Sequence, residues 1–225
     1  MPTPRYYPLF LDLGRAKCLV VGAGAVGRRK IGALLECGVR ELVVLDPELA
    51  KPPFLPEHPA LVFEARHFVP EDLAGCALVF AASGSREMNA VVAAACAERG
   101  ILCNCADAPL EGTCIVPATA RAGGMTLALS TGGASPAYAR HLREELEVWL
   151  HGKAPLAALL GRIRPQLLAL ERDTVQNTEL FRALVQSGLG AALADGDASR
   201  CGELLAAVLP EELHPRIAEF LDGLV

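Results

Sequence analysis

Short apolar runs separated by polar turns dominate the first hundred positions. Lys17-Cys-Leu-Val-Val21, Glu41-Leu-Val-Val-Leu45, Ala60-Leu-Val-Phe-Glu64, Ala77-Leu-Val-Phe-Ala-Ala82 and Ile101-Leu-Cys-Asn104 are strand-length and mostly rich in branched side chains. Between the first two, Val26, Ile31, Leu34 and Leu35 recur at helical spacing until Gly38. A second helical pattern runs from about Arg86 to Arg99, and a proline-rich loop covers Lys51 to Pro59. Continuously apolar strands alternating with helices predict βαβ units, hence a parallel sheet covered on both faces.

After Asn104 the alternation stops. Cys114-Ile-Val-Pro-Ala-Thr119 and Met125-Thr-Leu-Ala-Leu-Ser130 read as two strands of a hairpin with its turn at Arg121-Ala-Gly-Gly124. A polar stretch, Ser130 to Ser135, leads to Pro136, and Ser followed by Pro is a helix N-cap and first-turn pair. That helix runs to about Leu150, with a break at Lys153-Ala-Pro155. From there the pattern is helical to Val225, broken near Asp173, Gly188 to Gly190, Asp195-Gly196 and Pro210. The expected architecture is α/β: a Rossmann-like parallel-sheet domain over 1–112, a hairpin-and-helix segment over 113–151, and a helical domain of four or five short helices over 152–225.

The first loop carries the sharpest motif. Gly22-Ala23-Gly24-Ala25-Val26-Gly27 leaves a strand and opens a helix, as the dinucleotide fingerprint G-x-G-x-x-G requires. Gly22 serves the tight turn, Gly24 the approach of a pyrophosphate, and Gly27 the close packing of helix on sheet. The second strand ends at Asp46-Pro47, with Asp46 19 positions after Gly27. An acid about 20 residues on accepts hydrogen bonds from an adenine ribose and repels a 2′-phosphate, so NAD is the expected cofactor. Arg28 and Arg29 stand nearby and could accommodate that phosphate instead. The plainer alternative is a glycine turn with an incidental loop Asp.

Composition narrows the classes. With 52% of its 225 residues hydrophobic the chain can bury a core, and a net charge of -5 makes nucleic acid an unexpected partner. No apolar run approaches the roughly 20 residues that span a bilayer, and the first residues lack the apolar region of a signal peptide, so the expectation is a cytoplasmic protein without membrane contact. Eight cysteines, none in C-x2-C spacing, and five scattered histidines predict neither a disulfide framework nor a protein-held metal. Cys103-Asn104-Cys105 is the one cluster, and alternate residues of a strand sharing a face also suits packing.

Motif order then adds a resemblance. Arg5-Tyr-Tyr-Pro-Leu-Phe-Leu-Asp-Leu13, the run from Val21 to Lys30, Ala81-Ala-Ser83 with Asn89, Cys103-Asn-Cys-Ala-Asp-Ala-Pro109 and Leu129-Ser-Thr-Gly-Gly-Ala-Ser-Pro136 resemble the precorrin-2 dehydrogenase family, which includes the N-terminal half of bacterial sirohaem synthases. The resemblance covers about residues 5–150. It implies NAD-dependent oxidation of precorrin-2 to sirohydrochlorin and a homodimer built through the segment after the nucleotide domain. In some relatives the same site also inserts ferrous iron, so Fe²⁺ as a chelatase substrate stays open. A reading of another class, an NAD(H)-sensing module without chemistry, stays open as well. The chain departs from the family at Ser83-Gly84-Ser85, where relatives carry Thr-Asp-Asp.

The resemblance assigns roles to residues. Asp107 matches the acid that assists catalysis, and a carboxylate in hydrogen-bond reach of a leaving proton could accept it. Its alternative is a loop Asp bonding its own turn before Pro109. Gly22, Gly24, Ala25, Val26, Gly27, Asp46, Pro47 and Ser83 are expected around the cofactor. Asn104 either faces the same crevice, holding the nicotinamide amide or ordering Asp107, or is a strand-end amide bonded to backbone. Ser130, Thr131, Gly132 and Gly133 are expected to form an anion nest for the carboxylates of a tetrapyrrole, with Arg121 and Arg140 as partners. Arg143 reads better as a helix-face pair with Glu147.

Overall fold

A computed structural model of the chain describes residues 5–48, 55–170 and 173–225. Positions 51–54 of the proline-rich loop lie outside the described residues. The chain divides into two compact units, Met1–Val116 and Pro117–Val225.

The first unit is built on β1 (Lys17–Val21), α1 (Ala25–Glu36), β2 (Glu41–Leu45), β3 (Leu61–Glu64), β4 (Cys76–Ala81), α2 (Arg86–Arg99) and β5 (Leu102–Cys105). The five strands form one parallel sheet in the order β3-β2-β1-β4-β5. Strand order reverses beside β1, and open α/β sheets bind ligands at the carboxyl edge of such a switch point.

Alternation along the strands explains why the runs are apolar throughout. Leu19 and Val21 of β1, Val79 and Ala81 of β4, and Cys103 and Cys105 of β5 pack with Val92, Ala93 and Cys96 of α2. Their neighbours Cys18, Val20, Leu78 and Phe80 join Ile31 and Leu34 of α1 in the opposite core. The central strands β1 and β4 are thus buried on both faces. Val26, placed on the apolar stripe of α1 by its spacing, is instead exposed, and Gly27 takes the buried position.

The second unit begins with an antiparallel hairpin of β6 (Ala118–Ala122) and β7 (Met125–Leu129), followed by α3 (Pro136–His151). The first hairpin strand starts four residues later than Cys114, where its apolar pattern suggested. Pro117 supplies no N–H to a ladder, while Cys114 is bonded back onto β5 through its N–H and the Cys103 carbonyl, 3.1 Å. The turn is tighter than expected, since Gly123 at φ +54° lets Ala122 pair directly with Met125. The boundary between the two compact units falls between Val116 and Pro117. Ala120, Ala122 and Leu150 form a small core with Ala154, so the hairpin segment and the helical region share the second unit.

The helical region comprises α4 (Ala154–Leu168), α5 (Thr174–Gln186), α6 (Leu189–Ala194), α7 (Ala198–Val208) and α8 (Ile217–Leu221). Leu159, Ile163 and Leu167 of α4, Leu184 of α5 and Leu205 of α7 bury against one another around Phe220. These leucines fill a core of their own. Among the described residues no helix is long and apolar enough to cross a membrane.

Candidate active site

The glycine loop is shaped by its neighbours. Gly22 stands at φ +100°, and a Cβ there would fall 2.5 Å from the Ala82 carbonyl oxygen, so the turn after β1 presses against the end of β4. A Cβ on Gly27 would come within 1.9 Å of the Gly22 carbonyl oxygen. Gly24 differs, since a Cβ there would meet nothing within 4 Å. Two glycines therefore serve packing, and the middle one opens the surface.

Helix α1 starts at Gly24 with no side-chain cap and no acid in its first turn. Its early N–H groups and the positive end of its dipole stay available to an anion. Helix α2 shows the contrast, with Ser85 capping the Met88 N–H and Glu87 in its first turn. Ala25 and Val26 are exposed in the first turn of α1.

Asp46 closes the loop from the side. Its Oδ2 accepts from the Ala23 N–H at 2.7 Å and its Oδ1 from the Glu48 N–H at 3.0 Å, with Pro47 exposed between them. The carboxylate stands at the end of β2 beside the loop, where a ribose-binding acid belongs. These observations fit a dinucleotide.

Asp107 follows β5 and is exposed, two residues beyond Cys105. Its Oδ1 accepts from Asn89 Nδ2 at 3.0 Å and lies 3.3 Å from the Cys105 thiol. Burial opposes its charge, but the thiol, its own backbone N–H, the Asn89 amide and the Arg86 charge outweigh that and hold the carboxyl below its ordinary value. Asp107 is therefore ionised at neutral pH and able to receive a proton.

The Asn104 expectation is corrected in one respect. Asn104 is buried and its Nδ2 donates to the Cys114 carbonyl at 3.1 Å, so it is the strand-end amide, and the side chain that reaches Asp107 is Asn89. The segment after Asp107 folds back along β5, with Thr113 exchanging bonds with Cys103, and this brings the Cys114 carbonyl to Asn104. Ser83 takes part through Asn89, whose Oδ1 accepts from the Ser83 N–H at 3.0 Å. Cys103 and Cys105 are buried, and the Cys105 thiol donates to Asp107 Oδ1.

The Ser130 to Ser135 stretch, in the second unit, is a self-bonded turn and not the open nest its glycines suggested. Ser130 Oγ takes the Gly132 N–H, the Thr131 carbonyl takes that of Ala134, and Thr131 Oγ1 takes that of Ser135. Ser135 Oγ caps α3 at the Tyr138 N–H, as expected from Ser before Pro. Arg143 binds Glu147 at 2.6 Å, and Arg140 lies 3.6 Å from Glu144 in an equally ordinary helix-face pair. Arg121 projects from β6 and is exposed. The first unit thus brings together Gly22 to Gly27, Asp46, Ser83 and Asp107 at one sheet edge, while Arg121, Ser130 to Gly133 and Arg140 belong to the second.

A parallel sheet with an uncapped glycine-loop helix and an acid after β2 defines a dinucleotide-binding α/β domain. Comparison with known proteins agrees. Residues 9–118 match an NAD(P)-binding family profile, and residues 123–148 match the central region of sirohaem biosynthesis proteins. Siroheme synthase 1 of Aeromonas salmonicida is 35% identical over 212 residues, covering 92% of this chain and 45% of that protein. Siroheme synthase 1 of Halorhodospira halophila is 35% identical over 221 residues, covering 93% and 44% respectively. The chain therefore spans less than half the length of these relatives. The solved structure of SirC, a precorrin-2 dehydrogenase, superposes with a TM-score of 0.71 at 23% identity, over 90% of this chain and 98% of that one, and shares the fold. The chain is thus similar in sequence to a part of sirohaem synthases and in fold to a precorrin-2 dehydrogenase.

Proposed function

We propose that the chain is an NAD-dependent precorrin-2 dehydrogenase, yielding sirohydrochlorin. The observation that carries the reading is the shared sheet edge, where Asp107, ionised and braced by Asn89, stands with the glycine loop and Asp46. When bound, NAD supplies the hydride acceptor. Oxidation of precorrin-2 removes one hydrogen as hydride and a second as a proton, and Asp107 is the group that takes the proton. Gly24 leaves room for the pyrophosphate, the uncapped start of α1 faces its charge, and Asp46 selects NAD over NADP by meeting the ribose hydroxyls.

The chain works as a homodimer through α3 and the hairpin. Val148 and Trp149 support this, since they lie exposed on α3 at 76% and 53%, a costly arrangement for side chains of that size unless covered. The reading places the enzyme in the cytoplasm, where its free thiols stay reduced.

The test is incubation with precorrin-2 and NAD while the sirohydrochlorin absorbance is followed. Turnover supports the dehydrogenase. Tight NAD binding with no turnover would favour the sensing module instead. Sirohydrochlorin and Fe²⁺ without NAD form the second arm, in which sirohaem above the uncatalysed rate marks an added chelatase.

A further inference from the structure

Asn89 sits in the first turn of α2, yet its side chain does not serve the helix start. Ser85 already caps α2 through the Met88 N–H, and the Asn89 backbone N–H already bonds the Ser85 carbonyl at 3.0 Å. The Asn89 side chain is nevertheless 1% exposed, and a buried amide must be satisfied. Its Oδ1 accepts from the Ser83 N–H at 3.0 Å and lies 2.9 Å from the Ser83 hydroxyl. Its Nδ2 donates to the Ser83 carbonyl at 3.2 Å and to Asp107 Oδ1 at 3.0 Å. The amide can stand only this way round, because a flip would set its oxygen against a carboxylate and its NH₂ against a backbone N–H.

We propose that Asn89 is a positioning residue for Asp107, locking the loop after β4 to the acid after β5 and fixing one carboxylate oxygen so that the other faces the substrate. This rests on the reading of Asp107 as proton acceptor. Both side-chain donors, Asn89 Nδ2 and the Cys105 thiol, fall on Oδ1, which leaves Oδ2 as the oxygen to be protonated. The other charged group facing the acid from α2 is Arg86, itself held 3.2 Å from Glu111 in the loop after Asp107. Ser83-Gly84-Ser85 suits this arrangement. The Ser83 hydroxyl accepts from the Ser85 N–H at 3.2 Å, so the loop closes on itself and on Asn89.

The test combines carboxyl ¹³C NMR titration of the unliganded protein with kinetics for the wild type, Asn89→Ala and the isosteric Asn89→Asp. Loss of the amide donor should raise the Asp107 midpoint by about half a pH unit or more, and a second carboxylate beside it should raise it by about one unit or more. The acid limb of kcat should move by the same amount, with kcat down about tenfold and KM for NAD within about twofold of the wild type. In an Asp107→Ala background, Asn89→Ala should cost nothing further, because a residue acting through another loses its effect when that other is gone. An unmoved midpoint, or losses that add in the double variant, would overturn the proposal. Should Asn89→Ala not fold, Asn89→Asp decides alone by its midpoint. Absence of turnover in the wild type would retire the dehydrogenase reading, while the NMR titration would still decide whether Asn89 sets the state of Asp107.

Discussion

Two glycines three positions apart in the same motif should fail in opposite ways when given a methyl group. In Gly27→Ala the new Cβ would lie 1.9 Å from the Gly22 carbonyl oxygen and 2.9 Å from its carbonyl carbon. Ordinary carbon–oxygen contact is about 3.3 Å, so helix and loop must separate by over an ångström, and overpacking of this kind costs about 1–3 kcal/mol. At roughly 4–8 °C per kcal/mol for a domain near 100 residues, the melting temperature should fall by several degrees at least. In Gly24→Ala the Cβ meets nothing within 4 Å, and φ of −65° suits alanine, so stability should hold or rise by a few tenths of a kcal/mol. That methyl would occupy the side from which the pyrophosphate approaches. NAD affinity should drop at least about tenfold, equivalent to 1.4 kcal/mol. Thermal denaturation and calorimetric titration with NAD separate the two effects. Unchanged NAD affinity in Gly24→Ala would refute the placement of the dinucleotide over this loop.

Other outcomes follow from the same geometry. Asp107→Ala should lower kcat by about 10²–10⁴-fold, with NAD affinity within about twofold by calorimetry. Asp46→Ala should narrow the preference for NAD over NADP, measured as the ratio of kcat/KM values, and a wild type that already prefers NADP would contradict the role of Asp46. Asp72 is held below its ordinary range chiefly by its hydrogen bond from Arg66, at 2.6 Å. A carboxyl depressed in the folded state stabilises above its unfolded value near pH 4 and loses that contribution as pH falls through the folded value. The melting-temperature gap between wild type and Asp72→Asn should therefore be widest above about pH 4 and shrink at lower pH.

Much of the sheet was legible because its signal is local. Lys17–Val21 and Glu41–Leu45 are bounded as strands where their apolar runs begin and end, and Arg86–Arg99 is a helix over the residues its pattern marked. The glycine loop was equally plain, because steric demand leaves glycine no substitute at Gly22 and Gly27. What escaped depends on contacts between distant residues. Cys114 to Val116 have strand composition but are tethered toward β5 by the Cys114 N–H, which no periodicity records. Asn104, three residues from Asp107, was the natural partner in sequence, yet Asn89, 18 residues away, is the partner in space. The glycines at 132 and 133 signalled a turn correctly, at φ +63° and +85°, but not that neighbouring hydroxyls would use its donors.

The Asp46 carboxylate ends one strand and, through the Ala23 N–H, braces the loop that follows another. Each of its oxygens already accepts one backbone N–H and keeps a lone pair for a further donor, so the loop is braced in advance and little ordering entropy remains to be lost on association. Redesign for the phosphorylated coenzyme by replacing this acid alone would also release a strut of the phosphate cradle. A successful exchange would need a second change that restores an acceptor for the Ala23 amide.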